Sequence, residues 1–499
     1  MVNIPKQKFS ALKIIQTILL GVLLFSVRVV NAEVSSLDLP DLGDSTGLIF
    51  SPEYERRLGQ AFLSQIRRQA KIINDPEIET YINSIGYRLV SHSDNNTQQF
   101  TFFIINDPAI NAFSAPGGIV GINSGTILTS STESELAAVM AHEIAHVTQK
   151  HMARAMEMQK RMSIPMMAAM LGAIILASQN PDAGQAAIVA TQGASAQMQI
   201  NFTRSNEQEA DRIGMQLLAR ADFNPMGMPD FFQKLLEDSR YQGAAPEFLR
   251  SHPLTSNRIA DTRARAEDYP SNIKYHESKN YNYIKAKLRV LLSKNADDAS
   301  KYFQQKLDAD KYGDNAVYYN YGLALADTET GKYDQASEKL QQLLAKEPEN
   351  TFYILALAAL YVQQGQYASA FKIYDNAIKL YPDYRPVVFS YAKALLEDNK
   401  PDKARDVLHN YGKHYKPDLI YYKYLTRAEG EAGDKIESGI ANAEYYYLAG
   451  ETGVAIDQIR HLLRSHNPQP DYYQRERLQD RLVFMEQELK IEKDMKIRE

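Results

Sequence analysis

The second half of this chain carries a periodic pattern, and a fixed period constrains a fold more than any other feature of this sequence. The segment Gly331–Ala336 (GKYDQA) returns 34 residues later as Gly365–Ala370 (GQYASA), and Pro348 returns in the same way as Pro382. A repeat of this length is one supersecondary unit, which buries its apolar face only against its neighbours. The pattern therefore predicts a stacked array of similar helical units.

A period of 34 residues with small residues where helices cross, Tyr in the turn and Pro at the end is typical of tetratricopeptide repeats. The register continues to Ala404, so the clearest repeats span about 316–417. The flanking segments 281–311 and 418–463 look helical but degenerate or out of register. We expect an all-α repeat domain over 271–499, with an ordinary helical bundle as the alternative.

The first half of the chain lacks a period. A chain of 499 residues is long for a single core, so a separate domain over 33–270 is expected. Helical spacing of apolar residues is found over three segments: 53–73, 76–90 and 132–153. Strand-like runs occupy 100–105, 119–122 and 126–128. The predicted fold class is α+β, mainly α, with one small sheet.

The composition limits the chemistry of any site. The chain has no Cys, which excludes disulfides, thiol nucleophiles and thiolate metal sites. Any metal ion must therefore be held by His and carboxylate side chains. The formal charge of -5 gives no electrostatic reason to expect a nucleic-acid partner.

The N-terminus has the layout of an export signal. Three lysines precede an apolar run over 14–27, and small residues suited to cleavage follow at 30–32. This layout predicts a secretory signal peptide over 1–32, with an uncleaved N-terminal anchor as the alternative. We expect an exported, soluble protein of a bacterial periplasm.

One short motif carries the chemistry: His142-Glu143-Ile144-Ala145-His146. Two His residues four apart on a helix lie on one face, so both imidazoles can reach one cation. Glu143 can then reach a metal-bound water and act as the general base of a zinc peptidase. The alternative, a helix with two surface His residues, fits poorly because the flanking residues are apolar.

A third ligand is needed, and the segment Asn206–Asp211 offers candidates. Glu207 and Asp211 share a helical face, so one carboxylate can bind the metal while the other accepts the N–H of a ligating imidazole. Glu209 is the rival ligand, but on an α-helix it points about 160° away from that face.

These motifs resemble those of the M48 peptidase family. The resemblance rests on His142–His146, Glu207–Asp211, Asn111–Gly118 (NAFSAPGG) and the pair His252–Pro253 followed by Arg258. It implies a gluzincin-type metalloprotease domain that binds one zinc ion per chain. It further implies that His142, His146 and Glu207 are the ligands and Glu143 the base, and that Asp211 has an orienting or proton-donating role.

The same resemblance bears on function and partners. A family peptidase joined to tetratricopeptide repeats behind a signal peptide implies a periplasmic protease with chaperone-like activity. Its implied clients are outer-membrane β-barrel proteins, and its repeats would contact the β-barrel assembly machinery. The alternative is a chaperone or scaffold that binds clients through the repeats without cleaving them. Tyr residues are frequent in the repeats, which favours protein binding.

Two further residues have open assignments. By resemblance, His252 approaches the zinc, either to fill the water position in a latent state or to bind the oxyanion; otherwise it is a surface loop residue. Arg258 is a second oxyanion candidate or else a surface salt bridge. A third segment, 112–122, contains Phe113, Gly117 and Gly118 and is interpreted as an edge strand to which a substrate peptide can add, or as a tight turn.

Segment 163–178 is the most apolar stretch after the N-terminus. We expect it to cover the active-site side or pack in the core; the alternative is interfacial contact with a membrane or an unfolded barrel strand. His151 and the remaining His residues are expected to be exposed to solvent.

Overall fold

The computed structural model describes residues 51–94, 99–159, 181–242, 246–270, 275, 277–310 and 313–494. All of these described residues belong to one compact unit. The predicted signal peptide over 1–32 and the apolar segment 163–178 lie outside the described residues. Within the described ranges, no helix combines the length and apolar character that crossing a membrane requires.

The first part of the chain mixes helices with one small sheet. Its elements in chain order are α1 (Pro52–Gln69), α2 (Pro76–Ser91), β1 (Thr101–Ile105), β2 (Ala112–Ala115), β3 (Ile119–Asn123), α3 (Ser124–Thr129), α4 (Glu133–Thr148), α5 (151–159), α6 (Pro181–Arg220), α7 (Gly227–Gln242), α8 (Glu247–Ser251) and α9 (Ser256–Glu267). Helix α2 begins where the Asp75 side chain accepts hydrogen bonds from two backbone N–H groups, and Thr132 caps α4 in the same way.

The second part is helical throughout its described residues. Its helices are α10 (Asn280–Leu292), α11 (Ala296–Ala309), α12 (Ala316–Glu329), α13 (Tyr333–Lys346), α14 (Thr351–Gln363), α15 (Tyr367–Leu380), α16 (Arg385–Glu397), α17 (Pro401–Gly412), α18 (Leu419–Glu431), α19 (Lys435–Leu448), α20 (Thr452–Arg464) and α21 (Tyr472–Asp494). The predicted class, α+β and mainly α with a helical repeat solenoid, is confirmed.

The sheet has the strand order β1-β3-β2, with β1 parallel and β2 antiparallel to β3. Helices α2 and α4 pack on the sheet, while Leu63 of α1 forms a small apolar cluster with Phe103, Ala115 and Ile119. Strand β2 is therefore an edge strand.

Two predicted elements are wrong in part. Segment 126–128 was expected as a strand but lies in α3, where Ser124 and Thr126 hydrogen-bond through their hydroxyls to the backbone of Asp107 and Asn111. A short apolar run does not distinguish a buried helix from a strand. The helix predicted over 132–153 is broken, because α4 ends at Thr148 and Lys150 adopts φ 53 before α5 begins.

The repeat turns explain the sequence period. Gly331 and Gly365 have φ of 77 and 71, and the next residue after each donates its N–H to a carbonyl five positions back. Asn399 (φ 53) and Gly433 (φ 94) occupy the same turns further along, again 34 residues apart. The register therefore continues beyond the predicted repeats, although an Asn replaces Gly in one turn.

The repeat helices pack directly on the first part of the chain. Lys287 of α10 pairs with Asp75 (2.9 Å) and with Glu77, and Arg385 of α16 lies 2.7 Å from Glu79. One apolar core runs without interruption from Ile73 to Leu360. The repeat helices thus hold α2, which in turn packs on the helix that carries the HExxH motif.

Candidate metal centre

Helix α4 presents both His residues of the motif to one point. Every residue from Leu136 to Ala145 is buried, because this helix is apolar on all sides and fills the core between α2, α6 and α7. His142 and His146 are one turn apart, and their Nε2 atoms are 3.0 Å from each other. The spacing in the sequence therefore does bring two imidazole nitrogens together, as predicted.

Helix α6, which packs along α4, supplies a carboxylate to the same point. Glu207 Oε2 lies 3.4 Å from His142 Nε2, and Glu207 Oε1 lies 3.4 Å from His146 Nε2. Glu207 is buried, with 3% of its surface exposed. Two nitrogens and a carboxylate oxygen that face one another in this way could hold one metal ion.

His252 joins the group from the end of α8. Its Nδ1 atom is 3.3 Å from His142 Nε2 and 3.1 Å from Glu207 Oε1. One ligand atom from each of His142, His146, Glu207 and His252 lies within 4.8 Å of the others. His252 is 8% exposed, so it is not a surface loop residue.

These residues fit a divalent cation. Zn²⁺ binds four N or O ligands at about 2.0–2.2 Å, so its ligand atoms lie close to one another. The four donor atoms of this group lie close together in the same way. Glu143 is wholly buried, and among the described residues neither of its carboxylate oxygens has a hydrogen-bond partner. A buried carboxylate left in this state needs a donor, which a water bound beside the group would provide.

Arg258 holds the two acids of α6. Its Nε and Nη2 atoms each lie 2.7 Å from an oxygen of Asp211, and Nη1 lies 2.9 Å from Glu207 Oε2. Nη1 also donates to the carbonyl of Pro253, one residue after His252. Arg258 is buried, so the surface salt bridge considered from the sequence is wrong.

The charged groups of the site shift one another's pKa values. Burial alone would raise the pKa of Asp211, but His142 and Arg258 outweigh it and lower that pKa. Burial also opposes ionisation of Glu207, yet His142 and His252 bring its pKa well below the usual range. Both acids are therefore carboxylates at neutral pH. The Asp211 Oδ1 atom lies 3.0 Å from His142 Nδ1, although the two atoms are not aligned as a hydrogen bond.

His151 is not exposed to solvent, in contrast to the prediction. It is 5% exposed, and its Nδ1 lies 2.8 Å from Nδ1 of His146. Its other nitrogen lies 3.2 Å from Glu209 Oε2. A continuous helix over 132–153 would turn residue 151 away from His146, so the contact could not be predicted; the break at Lys150 brings His151 back toward it. Glu209, the rival ligand, lies outside the four-residue group.

A pocket adjoins the site at the sheet edge. It has a volume of about 40 Å³, and its lining includes β2 residues Ser114 and Ala115, Pro116 and His146. Phe113 is not among its lining residues; its ring packs edge-on against Phe62 on α1, with centroids 6.1 Å apart.

The two glycines after β2 form its turn to β3. Both have positive φ, 77 for Gly117 and 78 for Gly118. A Cβ on Gly118 would lie 1.9 Å from the Gln99 carbonyl oxygen, so protein backbone fills the space beside it. The turn interpretation thus holds for the glycines, while β2 itself is an edge strand.

Profiles of known protein families match both parts of the chain. The profile of peptidase family M48 matches residues 76–266, a range that contains all four groups of the centre. Two tetratricopeptide-repeat profiles match 327–384 and 361–429.

Full-length relatives are also found. A beta-barrel assembly-enhancing protease of Escherichia coli is 39% identical over 447 residues, which is 89% of this chain and 90% of that protein. The protein of the same name from Yersinia pestis is 37% identical over 421 residues, covering 84% and 86% of the two chains. A mitochondrial metalloendopeptidase of Schizosaccharomyces pombe is 28% identical over 180 residues, 36% of this chain and 50% of that protein.

Proposed function

We propose that this chain, which belongs to peptidase family M48, is a zinc-dependent endopeptidase with one zinc ion held by His142, His146 and Glu207. The observation that carries the proposal is the convergence of these three side chains from two helices, with the buried Glu143 carboxylate, neither oxygen of which is hydrogen-bonded among the described residues, beside them. Two imidazoles and one carboxylate are one of the ligand sets of catalytic zinc in peptidases.

The residues of the site have different roles in peptide hydrolysis. When bound, zinc would act as a Lewis acid and lower the pKa of a coordinated water. Glu143 takes a proton from the attacking water and then passes it to the leaving amine, as a general base and acid. Asp211 and Arg258 hold His142 and Glu207 in position through the contacts described above. The β2 edge can pair with the extended backbone of a substrate beside His146.

His252 closes the site in the arrangement observed. A fourth protein ligand would occupy the position that a catalytic zinc keeps open for water. We propose that His252 must withdraw before a substrate is cleaved, and that it then either stays away or turns toward the developing oxyanion.

The relatives suggest where this chemistry is used. Proteins 37–39% identical over most of their length are named for enhancing β-barrel assembly. We infer that this chain acts on outer-membrane β-barrel proteins in the periplasm, after export by a signal peptide over 1–32. The repeat domain, 271–499, would recruit clients or the β-barrel assembly machinery, and 33–270 would cleave. Chaperone-like activity would accompany proteolysis; a purely non-proteolytic scaffold is not favoured, since the relatives are named proteases.

Glu143→Gln tests the proposal. This change keeps the ligands and removes the base, so cleavage of an unfolded β-barrel protein should fall at least about 100-fold, while zinc content stays unchanged. Glu349→Gln, an exposed carboxylate in the repeats, is the matched control and should cleave normally. Full cleavage by Glu143→Gln would rule out the proposed base, and unimpaired barrel assembly by that variant would favour the scaffold.

A further inference from the structure

The two His ligands on α4 are supported differently. The outer nitrogen of His142 faces the Asp211 carboxylate, whereas that of His146 faces another imidazole, His151. We propose that His151 is a positioning residue that fixes the ring orientation and tautomer of His146 for metal binding. This inference rests on the proposed metal site and concerns a residue to which that function assigns no role.

The proton arrangement follows from the distances. His146 Nε2 points toward His142 and Glu207, so a metal there requires a free lone pair on Nε2 and a hydrogen on Nδ1. That hydrogen needs an acceptor, and His151 Nδ1 lies 2.8 Å away. His151 then carries its own hydrogen on Nε2, 3.2 Å from Glu209 Oε2. One arrangement of protons thus satisfies every nitrogen in the chain of contacts.

Glu209, at the far end of this series of hydrogen bonds, is also held in place. Arg154 of α5 donates from Nη2 to Glu209 Oε2 (2.7 Å) and to Asn206 Oδ1 (2.9 Å), both on α6. The His151 ring stands nearly perpendicular to that of His146, at 80°, with centroids 4.8 Å apart. Because His151 and Arg154 both lie on α5, the start of this helix ties a ligand on α4 to the helix that supplies the third ligand.

Loss of His151 should therefore act on the metal. Without an acceptor for its Nδ1 hydrogen, His146 can rotate or adopt the tautomer that has no lone pair on Nε2. Removing a group that orients a ligating imidazole typically lowers metal affinity about 10–100-fold. A residue that served only packing would leave the ligand field of the bound ion unchanged.

The test uses the purified full chain and three variants. His151→Ala removes the acceptor, His151→Gln restores an acceptor and a donor, and His414→Ala removes an exposed imidazole in the repeats as the matched control. Zinc dissociation constants are measured by competition with a chromophoric chelator, and visible spectra are recorded with cobalt in place of zinc. Thermal unfolding monitors the fold of each variant.

We expect His151→Ala to bind zinc about 10–100-fold more weakly and to shift the cobalt spectrum, with partial recovery in His151→Gln and no change in His414→Ala. Unchanged affinity and spectrum in His151→Ala would overturn the inference. If His151→Ala does not fold, Glu209→Ala, at a partly exposed position, takes its place and must weaken binding at least about threefold. A wild-type chain that binds no zinc would instead overturn the proposed function, which distinguishes the two failures.

Discussion

The imidazole of His252 lies against that of His142, with Nδ1 of the first 3.3 Å from Nε2 of the second, although 110 residues separate them in sequence. The opposite nitrogen of His252 is 3.3 Å from Glu143 Oε1. His252 thus stands between the proposed ligands and the proposed base. A catalytic water would have to bind in the same place.

Replacement of His252 by Ala is therefore expected to open the site. Basal cleavage of an unfolded protein should rise several-fold, because the position that His252 fills becomes available to water. The measurement is the initial rate of peptide-bond cleavage at fixed zinc, with His414→Ala, which removes an exposed imidazole, as the control. An unaltered rate would contradict the role of His252, and a lower rate would assign it to the oxyanion.

Arg258 should be essential for the stability of the site. Arg258→Met leaves Asp211 and Glu207 buried without their cation, which costs about 3–5 kcal/mol. Urea unfolding of the metal-free protein measures this loss. Arg263→Met on the same helix removes only a partly exposed pair with Asp230 and should change stability by less than about 1 kcal/mol. Equal effects of the two changes would contradict the buried network.

Lys287 should contribute strongly to the stability of the contact between the repeat helices and the peptidase part. It pairs with Asp75 and with Oε2 of the buried Glu77, whose Oε1 has no hydrogen-bond partner among the described residues. Lys287→Met should lower the free energy of unfolding by about 3 kcal/mol. The control is Lys332→Met, whose pair with Asp297 is exposed. A loss below about 1 kcal/mol would show that the apolar core alone holds the two parts.

Glu79 makes the stability of the folded protein depend on pH through the contact between the two parts. Burial raises its pKa to about 7, and the opposing effect of Arg385 is smaller. The folded protein therefore keeps a proton that the unfolded chain releases above about pH 4.3. The stabilisation from this group is complete below that pH and is lost as the pH rises to about 7, by up to about 4 kcal/mol.

Glu79→Gln should consequently flatten the decline in stability between pH 5 and pH 8. Urea unfolding at both values compares this variant with the wild type and with Glu349→Gln. The decline should shrink in Glu79→Gln alone. The same decline in all three proteins would show that Glu79 titrates normally at the interface.

The sequence predicted what depends on regular spacing. His142 and His146 share a helical face by periodicity, and the solenoid follows from a 34-residue period. Both features repeat along one element, so no knowledge of the tertiary fold is needed to see them. Glu207 is assigned as the third ligand by the resemblance to the M48 family, because its spacing to Asp211 alone does not identify a ligand.

What the sequence did not predict depends on breaks and on long-range packing. The turn at Lys150 redirects His151 toward His146, and nothing in the local pattern marks it. Arg258 reaches Asp211 only because α9 packs beside α6. The repeat turn at Asn399 lacks the Gly that marks the other turns. Asn can take its place because Asn, like Gly, tolerates positive φ.

The most direct test of the account is the zinc content of the purified chain, measured by elemental analysis after dialysis against a weak chelator. The wild type and Glu143→Gln should each retain one zinc ion per chain, whereas Glu207→Gln should retain less than about one tenth of that amount. Full zinc retention in Glu207→Gln, or none in the wild type, would contradict the proposal that three side chains from two helices hold a catalytic metal.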